Sequence, residues 1–168
     1  GNGCTSTASV TVVVNPKPTV TMTSSRGESI CPGESTILAA SAGQSYLWTP
    51  GNYTSQSITV SPAVQTQYTV EVVDANGCKG TATKTISIKT IPAADITGPT
   101  VSCAGEPVEL VASGGSVLWK DDNSTFNPRT VNPTATTTYY GIITGTNGCS
   151  VEKSWTVKVA DKPTLNIV

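Results

Sequence analysis

Apolar and polar residues alternate along several short stretches of the chain, and these stretches are rich in threonine and valine. The alternation runs through residues 36–40, 46–48, 68–72 and 82–88. A period of two is typical of half-buried strands, and β-branched side chains pack well on a pleated sheet. No segment has the apolar spacing of an amphipathic helix. The pattern therefore predicts a chain built from β-strands.

Turn residues separate the predicted strands. Glycine and asparagine are concentrated at residues 41–44, 74–77, 114–115 and 146–148. Asn-Gly pairs favour tight hairpin turns, because these turns need positive φ angles. Strands of about five to seven residues, with turns roughly every 8 to 12 residues, are typical of a β-sandwich. We therefore predict an all-β fold class of tandem immunoglobulin-like β-sandwich repeats, with about seven strands each.

The chain repeats itself. Leu47-Trp48 recurs as Leu118-Trp119, Tyr68 as Tyr139, and Asn76-Gly77-Cys78 as Asn147-Gly148-Cys149, each 71 residues later. Cys31-Pro32-Gly33-Glu34 recurs as Cys103-Ala104-Gly105-Glu106 after a slip of one residue, which a surface loop tolerates. Self-similarity at a fixed period indicates a repeat architecture.

The two ends of the sequence match internal positions of the repeat. Asn2-Gly3-Cys4 matches the start of a last strand, and residues 161–164 match Pro16-Lys17-Pro18-Thr19 at the start of a repeat. We therefore expect the sequence to be a window on a longer array. The expected parts are the last strand of a preceding repeat (1–16), two immunoglobulin-like repeats (17–91 and 92–161) and the first strand of a following repeat (162–168).

The alternation also predicts which side chains are buried. The expected core residues are Trp48, Trp119, Tyr68, Tyr139, Leu38 and Leu110, joined by Thr36, Ala40, Val70, Val72, Val108 and Ala112. A tryptophan on the third strand is the usual centre of an immunoglobulin-type core. Because these aromatic residues recur at the same repeat positions, we interpret them as core rather than as sugar-stacking platforms. Trp155 shares the phase of Val157 and Val159, which predicts packing in the core or at its edge.

Five cysteines with recurring spacings predict a disulfide framework, and hence an oxidising compartment. The candidates are Cys31, Cys78, Cys103 and Cys149, and the partner of Cys4 is expected outside the sequence. Two pairings are open. Cys31 could pair with Cys78 and Cys103 with Cys149, inside each repeat, or Cys31 could pair with Cys149, between repeats.

Topology favours the pairing between repeats. In an immunoglobulin-like sandwich, Cys31 would begin the second strand at one end, and Cys78 would follow the last hairpin at the opposite end. A strand of about six residues separates those ends by roughly 20 Å. A disulfide joins Cα atoms only about 4.4 to 6.8 Å apart. Under this pairing, Cys4, Cys78 and Cys103 would bond to cysteines of further repeats.

Charge and hydropathy narrow the classes of partner. The chain has 10 Lys+Arg and 11 Asp+Glu, scattered without a basic stripe, so we expect no nucleic-acid partner. Its longest apolar runs are far shorter than the roughly 18 to 20 residues of a spanning helix, so we expect no membrane insertion within this sequence.

The residue types argue against catalysis and metal binding. The chain has no histidine, so a Ser-His-Asp or Cys-His arrangement cannot be built. Zinc is disfavoured because Cys-x-x-Cys pairs are missing as well. Asp121-Asp122 is the densest acidic cluster, and we interpret it as a solvated turn rather than a carboxylate pair or a calcium loop. We expect no enzymatic activity and no cofactor.

Several motifs together resemble a known family. Cys31-Pro-Gly-Glu, Tyr46-x-Trp48-x-Pro50 and Tyr68-Thr-Val-Glu-Val-Val-Asp-Ala-Asn-Gly-Cys78 are similar to repeats of large Bacteroidetes cell-surface adhesins, such as gliding-motility adhesins exported by type IX secretion. The resemblance is specific for the first repeat. The second departs from it at residues 140–146 and at Lys120-Asp121. The resemblance implies an extracellular filament or stalk at the cell surface and supplies no catalytic residues.

Two functions follow as hypotheses. The first is a structural spacer of a large extracellular adhesin, whose partners are the neighbouring repeats of the same long chain. The second is a glycan- or protein-binding immunoglobulin-like module, with surface glycans or other adhesin chains as partners. A binding module should carry aromatic residues outside the core phase. Since aromatic residues make up only 5% of the chain, we expect few of them there and favour the spacer.

Overall fold

The structure is a computed structural model that describes residues 3–160. In this part of the chain all regular secondary structure is β-strand, and the chain divides into two compact units. The first unit comprises Gly1–Ile30 and Ser35–Ser87, and the second comprises Cys31–Glu34 and Ile88–Val168. The short segment Cys31–Glu34 thus interrupts the first unit in sequence but belongs by its contacts to the second.

The first unit is a sandwich of two sheets. Its strands are β1 (Met22–Ser24), β2 (Ser29–Ile30), β3 (Thr36–Ala40), β4 (Ser45–Thr49), β5 (Ser57–Val60), β6 (Thr66–Val73) and β7 (Lys79–Ile88). One sheet has the order β1-β3-β5 and the other β2-β7-β6-β4. In the larger sheet β6 pairs antiparallel with both β4 and β7, and Trp48 lies opposite Val70.

The second unit repeats this arrangement. Its strands are β8 (Asp95–Thr97), β9 (Val101–Cys103), β10 (Val108–Ser113), β11 (Ser116–Trp119), β12 (Arg129–Val131), β13 (Thr137–Thr144) and β14 (Ser150–Ala160). The sheets are β12-β10-β8 and β11-β13-β14-β9, and β9 runs parallel to β14. The predicted all-β, immunoglobulin-like fold with seven strands in each repeat is confirmed.

The numbering of the strands differs from the expected one. The first predicted strand is split into β1 and β2, because Gly27 turns the chain with a φ of 74°, and β2 joins the other sheet. Trp48 therefore lies on the fourth strand of its unit rather than on the third.

Alternating residues of the first unit form its core. On β3, Leu38 is completely buried, and Ile37 between the core positions is half exposed. Trp48 on β4 is also completely buried. The other buried side chains of this unit are Ile30, Thr36, Ala40, Ile58, Val60, Tyr68, Val70, Val72 and Ile86. Burial of this apolar surface is the main source of the unit's stability.

The core of the second unit is built from the matching positions. Trp119 and Leu110 are completely buried and pack with Ala94, Ile96, Val108, Ala112, Val117, Val131, Tyr139, Ile143 and Val157. Trp155 packs at the edge of this cluster, and its indole N–H donates a hydrogen bond to the Pro99 carbonyl at 3.1 Å.

The described residues before β1 have no regular secondary structure. Residues 3–21 form no strand, and residues 3–17 are exposed. The expectation that residues 1–16 form the last strand of a preceding repeat stays a prediction. Such a strand would need the other strands of that repeat to pair with. The expected first strand of a following repeat, residues 162–168, lies outside the described residues.

Candidate functional site

Two short turns that begin with a cysteine have the same local structure. In the first cysteine turn, Cys31–Glu34, the Glu34 N–H donates to the Cys31 carbonyl at 3.1 Å. In the second cysteine turn, residues 103–106, the Glu106 N–H donates to the Cys103 carbonyl at 3.2 Å. The third residue of each turn is a glycine with a positive φ, 80° and 81° respectively. The repeated sequence motif therefore encodes the same turn twice.

Two cysteine hairpins, residues 74–78 and 145–149, are also built alike. In each hairpin the first residue donates its N–H to the cysteine carbonyl, at 3.0 Å in the first and 2.9 Å in the second. The glycine before the cysteine donates to the carbonyl of the first residue, at 3.1 and 3.0 Å. Gly77 and Gly148 have φ angles of 78° and 81°, which glycine adopts without steric penalty.

A disulfide joins one cysteine turn to one cysteine hairpin. Cys31 is bonded to Cys149, and their Cα atoms are 5.5 Å apart. This is the pairing between sequence repeats, and the alternative pairs Cys31–Cys78 and Cys103–Cys149 are not formed. Cys149 is almost fully buried, and its N–H donates to Oδ1 of Asn147 at 3.0 Å.

The other cysteine turn and cysteine hairpin are not bonded within the described residues. Cys103 is exposed, Cys78 is half-buried, and Cys4 is exposed outside both motifs. All three carry free thiols. The chain thus has one bonded and one unbonded copy of each motif, and the expected partners of these three cysteines in further repeats stay a prediction.

A second repeated feature is the loop after each core tryptophan. In the first tryptophan loop, residues 50–55, the Trp48 N–H donates to the carbonyl of Tyr53 at 2.9 Å, and its indole N–H donates to the carbonyl of Ser55 at 2.8 Å. In the second tryptophan loop, residues 121–126, Trp119 makes the same two bonds at 2.9 and 3.0 Å. The two loops therefore share their backbone and differ in their side chains.

The first tryptophan loop borders an open cleft. The cleft has a volume of about 280 Å³ and is lined by Pro50, Gly51, Tyr53, Thr59, Val60, Ser61 and Tyr68. The Tyr53 side chain is 47% exposed, whereas Tyr68 is buried. Burial raises the pKa of the Tyr68 phenol above its usual value, and the nearby Tyr53 raises it further. The two phenols therefore lie at the same site.

The second tryptophan loop carries an ion cluster. Arg129 donates to both carboxylate oxygens of Asp121, at 2.7 and 2.6 Å, and to Asp122 at 3.1 Å. Its guanidinium carbon lies 5.2 Å from the Trp119 ring centre and 5.6 Å from that of Tyr139, within the range of cation–π attraction. The Arg129 charge thus lies beside the core and is paired with two carboxylates.

Asp121 and Asp122 lie in a turn, as the sequence predicts, and their side chains are 44% and 49% exposed. The sequence analysis did not predict that both carboxylates accept hydrogen bonds from the nearly buried Arg129. The sequence feature that could have predicted this ion cluster is Arg129. It occupies an inward position of the strand that ends at Val131, where the first repeat has Ile58. A charged residue at a core position predicts a nearby partner of opposite charge.

The ion cluster should make the stability of the second unit depend on pH. The hydrogen bond from Arg129 lowers the pKa of Asp121, although burial acts in the opposite direction. A carboxylate of this kind stabilises the fold above its unfolded pKa of about 3.9, and the contribution is lost as pH falls through the lower folded value. We expect Asp121→Asn to flatten this acid dependence, measured by amide exchange on β13 in urea between about pH 5 and pH 2.

Glu109→Gln, which changes an exposed carboxylate on β10, is the control for this experiment. It should leave the acid dependence as it is in the unmodified chain. If the free energy of unfolding changes with pH equally in the two variants, Asp121 is not the source of the acid dependence.

Three of the described aromatic residues are exposed. Tyr53, Phe126 and Tyr140 are 47%, 75% and 45% exposed. Tyr140 lies under the Lys120 ammonium, 5.8 Å from its ring centre, so part of its surface has a partner. The other two, Tyr53 and Phe126, belong to the tryptophan loops.

The described residues show no cluster of side chains that could form a metal centre. Between residues 3 and 160, no three Cys, Asp or Glu side chains come together in a way that could hold a metal ion. Over the same residues, the structure contains no helix with the length and hydropathy needed to cross a membrane. The candidate functional features of the described residues are therefore the free thiols, the cleft beside the first tryptophan loop and the ion cluster of the second.

No protein-family model matches the chain, and no curated protein matches it. Three similar solved structures are murine CEACAM1b, a 1.5-MDa bacterial ice-binding adhesin, and SGBP-B of the Bacteroides ovatus mixed-linkage glucan utilization locus with a bound heptasaccharide. Their identities are 14%, 12% and 14%, and their TM-scores 0.35, 0.39 and 0.25. The matches cover 86%, 87% and 80% of this chain and 100%, 66% and 44% of those chains. Likenesses this weak assign neither a family nor a function.

Proposed function

We propose that the chain is a non-catalytic structural segment of a long extracellular repeat protein whose successive repeats are joined by disulfide bonds. The observation that carries this proposal is the Cys31–Cys149 bond, which joins the cysteine turn of one sequence repeat to the cysteine hairpin of the next. Disulfides persist in oxidising compartments such as the cell exterior. Repeats that are bonded to their neighbours form an array whose length follows the number of copies.

The role we infer for such an array is the stalk or surface filament of an adhesin. The resemblance to repeats of Bacteroidetes adhesins supports a place at the cell surface, export by type IX secretion and a part in gliding motility. The partners in this role are neighbouring repeats of the same chain. The lack of histidine supports a role without catalysis, because the common nucleophile–base pairs cannot form.

The unbonded motifs support continuation of the same bonding pattern. The cysteine turn at Cys103 and the cysteine hairpin at Cys78 repeat the hydrogen bonds and positive-φ glycines of the bonded pair. In a longer array, Cys103 would bond to the hairpin of the following repeat and Cys78 to the turn of the preceding one. Each disulfide would then join two consecutive repeats and share the load along the chain.

The proposal predicts that separate copies of this chain join through Cys103 of one copy and Cys78 of another. We expect this in a Cys4→Ser background with glutathione disulfide in the buffer. Each new disulfide forms by thiol–disulfide exchange: the two thiols lose two electrons and two protons, and glutathione disulfide takes up both to become two molecules of glutathione. A non-reducing gel should show a ladder of oligomers that collapses on reduction. A peptide map should show Cys78 bonded to Cys103, with Cys31–Cys149 kept inside each copy.

Complementary variants separate specific pairing from random oxidation. In the Cys4→Ser background, Cys78→Ser leaves only the turn thiol free and Cys103→Ser leaves only the hairpin thiol free. Each variant alone should stay monomeric, and a mixture of the two should give dimers. If each variant dimerises by itself as readily as the mixture does, the thiols pair without recognition and the proposal fails.

A further inference from the structure

We propose that the cleft beside Tyr53 binds one pyranose ring of a neutral glycan, with the sugar stacked on the Tyr53 ring. The cleft belongs to the first unit alone. The inference does not depend on the stalk proposal, because it uses no cysteine and no neighbouring repeat.

The Tyr53 ring lies against the backbone of the first tryptophan loop. A Cβ built on Gly51 would overlap this ring, and Gly51 has a φ of 105°, which favours glycine. The Tyr53 carbonyl is fixed by the hydrogen bond from the buried Trp48. Nearly half of the residue is nevertheless exposed. A tyrosine side chain has only two χ angles, so it loses little conformational entropy when a ligand stacks on it.

The walls of the cleft are uncharged and carry hydroxyl groups. Its lining residues include no Lys, Arg, Asp or Glu. Thr59 and Ser61 are exposed at its edge, and among the described residues their hydroxyl groups make no hydrogen bond to protein. A pyranose ring offers an apolar C–H face for an aromatic ring and hydroxyl groups for polar partners. The chemistry of the cleft therefore favours a neutral sugar over an anion or a cation.

The volume of the cleft limits what it encloses. A volume of about 280 Å³ lies just below the range of roughly 300 to 1,000 Å³ for small-molecule sites. The site therefore suits one sugar ring, with the rest of the glycan in solvent. A proline-rich peptide is disfavoured, because such peptides dock on grooves with several exposed aromatic rings and this cleft exposes one.

The second unit provides an internal comparison. Its tryptophan loop has the same backbone hydrogen bonds, but Asp122 and Ser124 stand where Gly51 and Tyr53 stand in the first loop. The Arg129 guanidinium lies 5.6 Å from the ring centre of Tyr139, the counterpart of Tyr68. The platform is thus replaced by an ion cluster, and we infer that this binding site belongs to the first repeat.

The test is a titration of the isotope-labelled chain with cellohexaose, mannohexaose and xylohexaose, followed by backbone amide NMR. At least one of these probes should shift the amide signals of Gly51, Tyr53 and Ser61. Tyr53→Ala should weaken binding about tenfold, Tyr53→Phe should keep it, and Gly51→Ala should weaken it by displacing the ring. The NMR spectrum of each variant shows directly whether it is folded.

Phe126→Ala is the matched control, because Phe126 is the exposed aromatic residue of the second tryptophan loop. It should leave the affinity unchanged. The proposal is overturned if none of the three probes shifts the cleft signals, or if Tyr53→Ala binds as tightly as the unmodified chain. If decaproline shifts those signals and the sugars do not, the site is a peptide site and the glycan proposal is wrong. The disulfide tests above are independent of all these outcomes.

Discussion

Replacing Trp48 by alanine should lower the free energy of unfolding of the first unit by about 3 to 5 kcal/mol. The side chain is completely buried opposite Val70 of β6, so its removal leaves a cavity in the core of this unit. The substitution also removes the indole N–H that donates to the Ser55 carbonyl at 2.8 Å. Both the cavity and the lost hydrogen bond lower the free energy of unfolding. A loss of this size is a large part of the stability of a small domain.

The measurement is amide hydrogen exchange in increasing urea, read on peptides from β6 and β7. Leu47→Ala is the matched control, because Leu47 lies next to Trp48 on β4 but points to the other face and is 45% exposed. It should change the free energy of unfolding by no more than about 0.5 kcal/mol. Similar losses for the two variants would contradict the burial of Trp48 at the centre of the core.

The tryptophan loop connects this prediction to the cleft. The backbone of residues 50–55 is held by the two hydrogen bonds from Trp48. Loss of the indole should therefore disturb the Tyr53 platform as well as the core. For this reason the glycan test uses Tyr53 and Gly51 variants, whose effects on binding can be separated from unfolding.

The sequence pattern was sufficient to predict which strand residues are buried and which positions correspond between the two repeats. A period of two along 36–40 and 68–72 places Leu38 and Tyr68 on the buried face, because successive side chains of a strand point to opposite sides. The repeated motifs placed Trp119 and Tyr139 in matching positions. Topology also favoured the Cys31–Cys149 pair, since the length of one strand exceeds the reach of a disulfide.

Features that depend on loop side chains were not predictable in the same way. The two tryptophan loops share their backbone hydrogen bonds, so periodicity does not distinguish a loop that exposes Tyr53 from one that pairs Asp121 with Arg129. The split between β1 and β2 depends on one positive φ angle at Gly27, which many glycines could supply. Such differences arise from individual loop side chains and single backbone angles, on which the alternation of apolar and polar residues contains no information.

Removing both carboxylates of the ion cluster should lower the free energy of unfolding of the second unit by about 2 to 4 kcal/mol. In the double variant Asp121→Ala and Asp122→Ala, the Arg129 side chain, which is only 10% exposed, loses all three carboxylate hydrogen bonds. An uncompensated charge at a nearly buried position is strongly destabilising. We expect the lower part of this range, because the carboxylates are about half exposed and water can partly replace them.

Replacing Arg129 by isoleucine should have a much smaller effect, within about 1 kcal/mol. Ile58 holds the matching position of the first repeat and is buried there, so the fold accepts an apolar side chain at this point. Exchange of a buried ion pair for well-packed apolar residues is often neutral or stabilising. The carboxylates left behind are exposed enough to remain hydrated. Amide exchange on β10 and β13 measures both variants, with Glu109→Ala on the exposed face of β10 as the control.

The difference between these two variants identifies what the cluster contributes. If adding Arg129→Ile to the double carboxylate variant restores most of the lost stability, the penalty came from the stranded guanidinium. If Arg129→Ile alone destabilises the unit as much as the double variant, the packing of the guanidinium against Trp119 and Tyr139 is the larger contribution. If stability is restored, the ion cluster that distinguishes the second repeat can be replaced by a hydrophobic residue. If Arg129→Ile is as destabilising as the double variant, the second repeat is distinguished by a specific cation–π contact in its core.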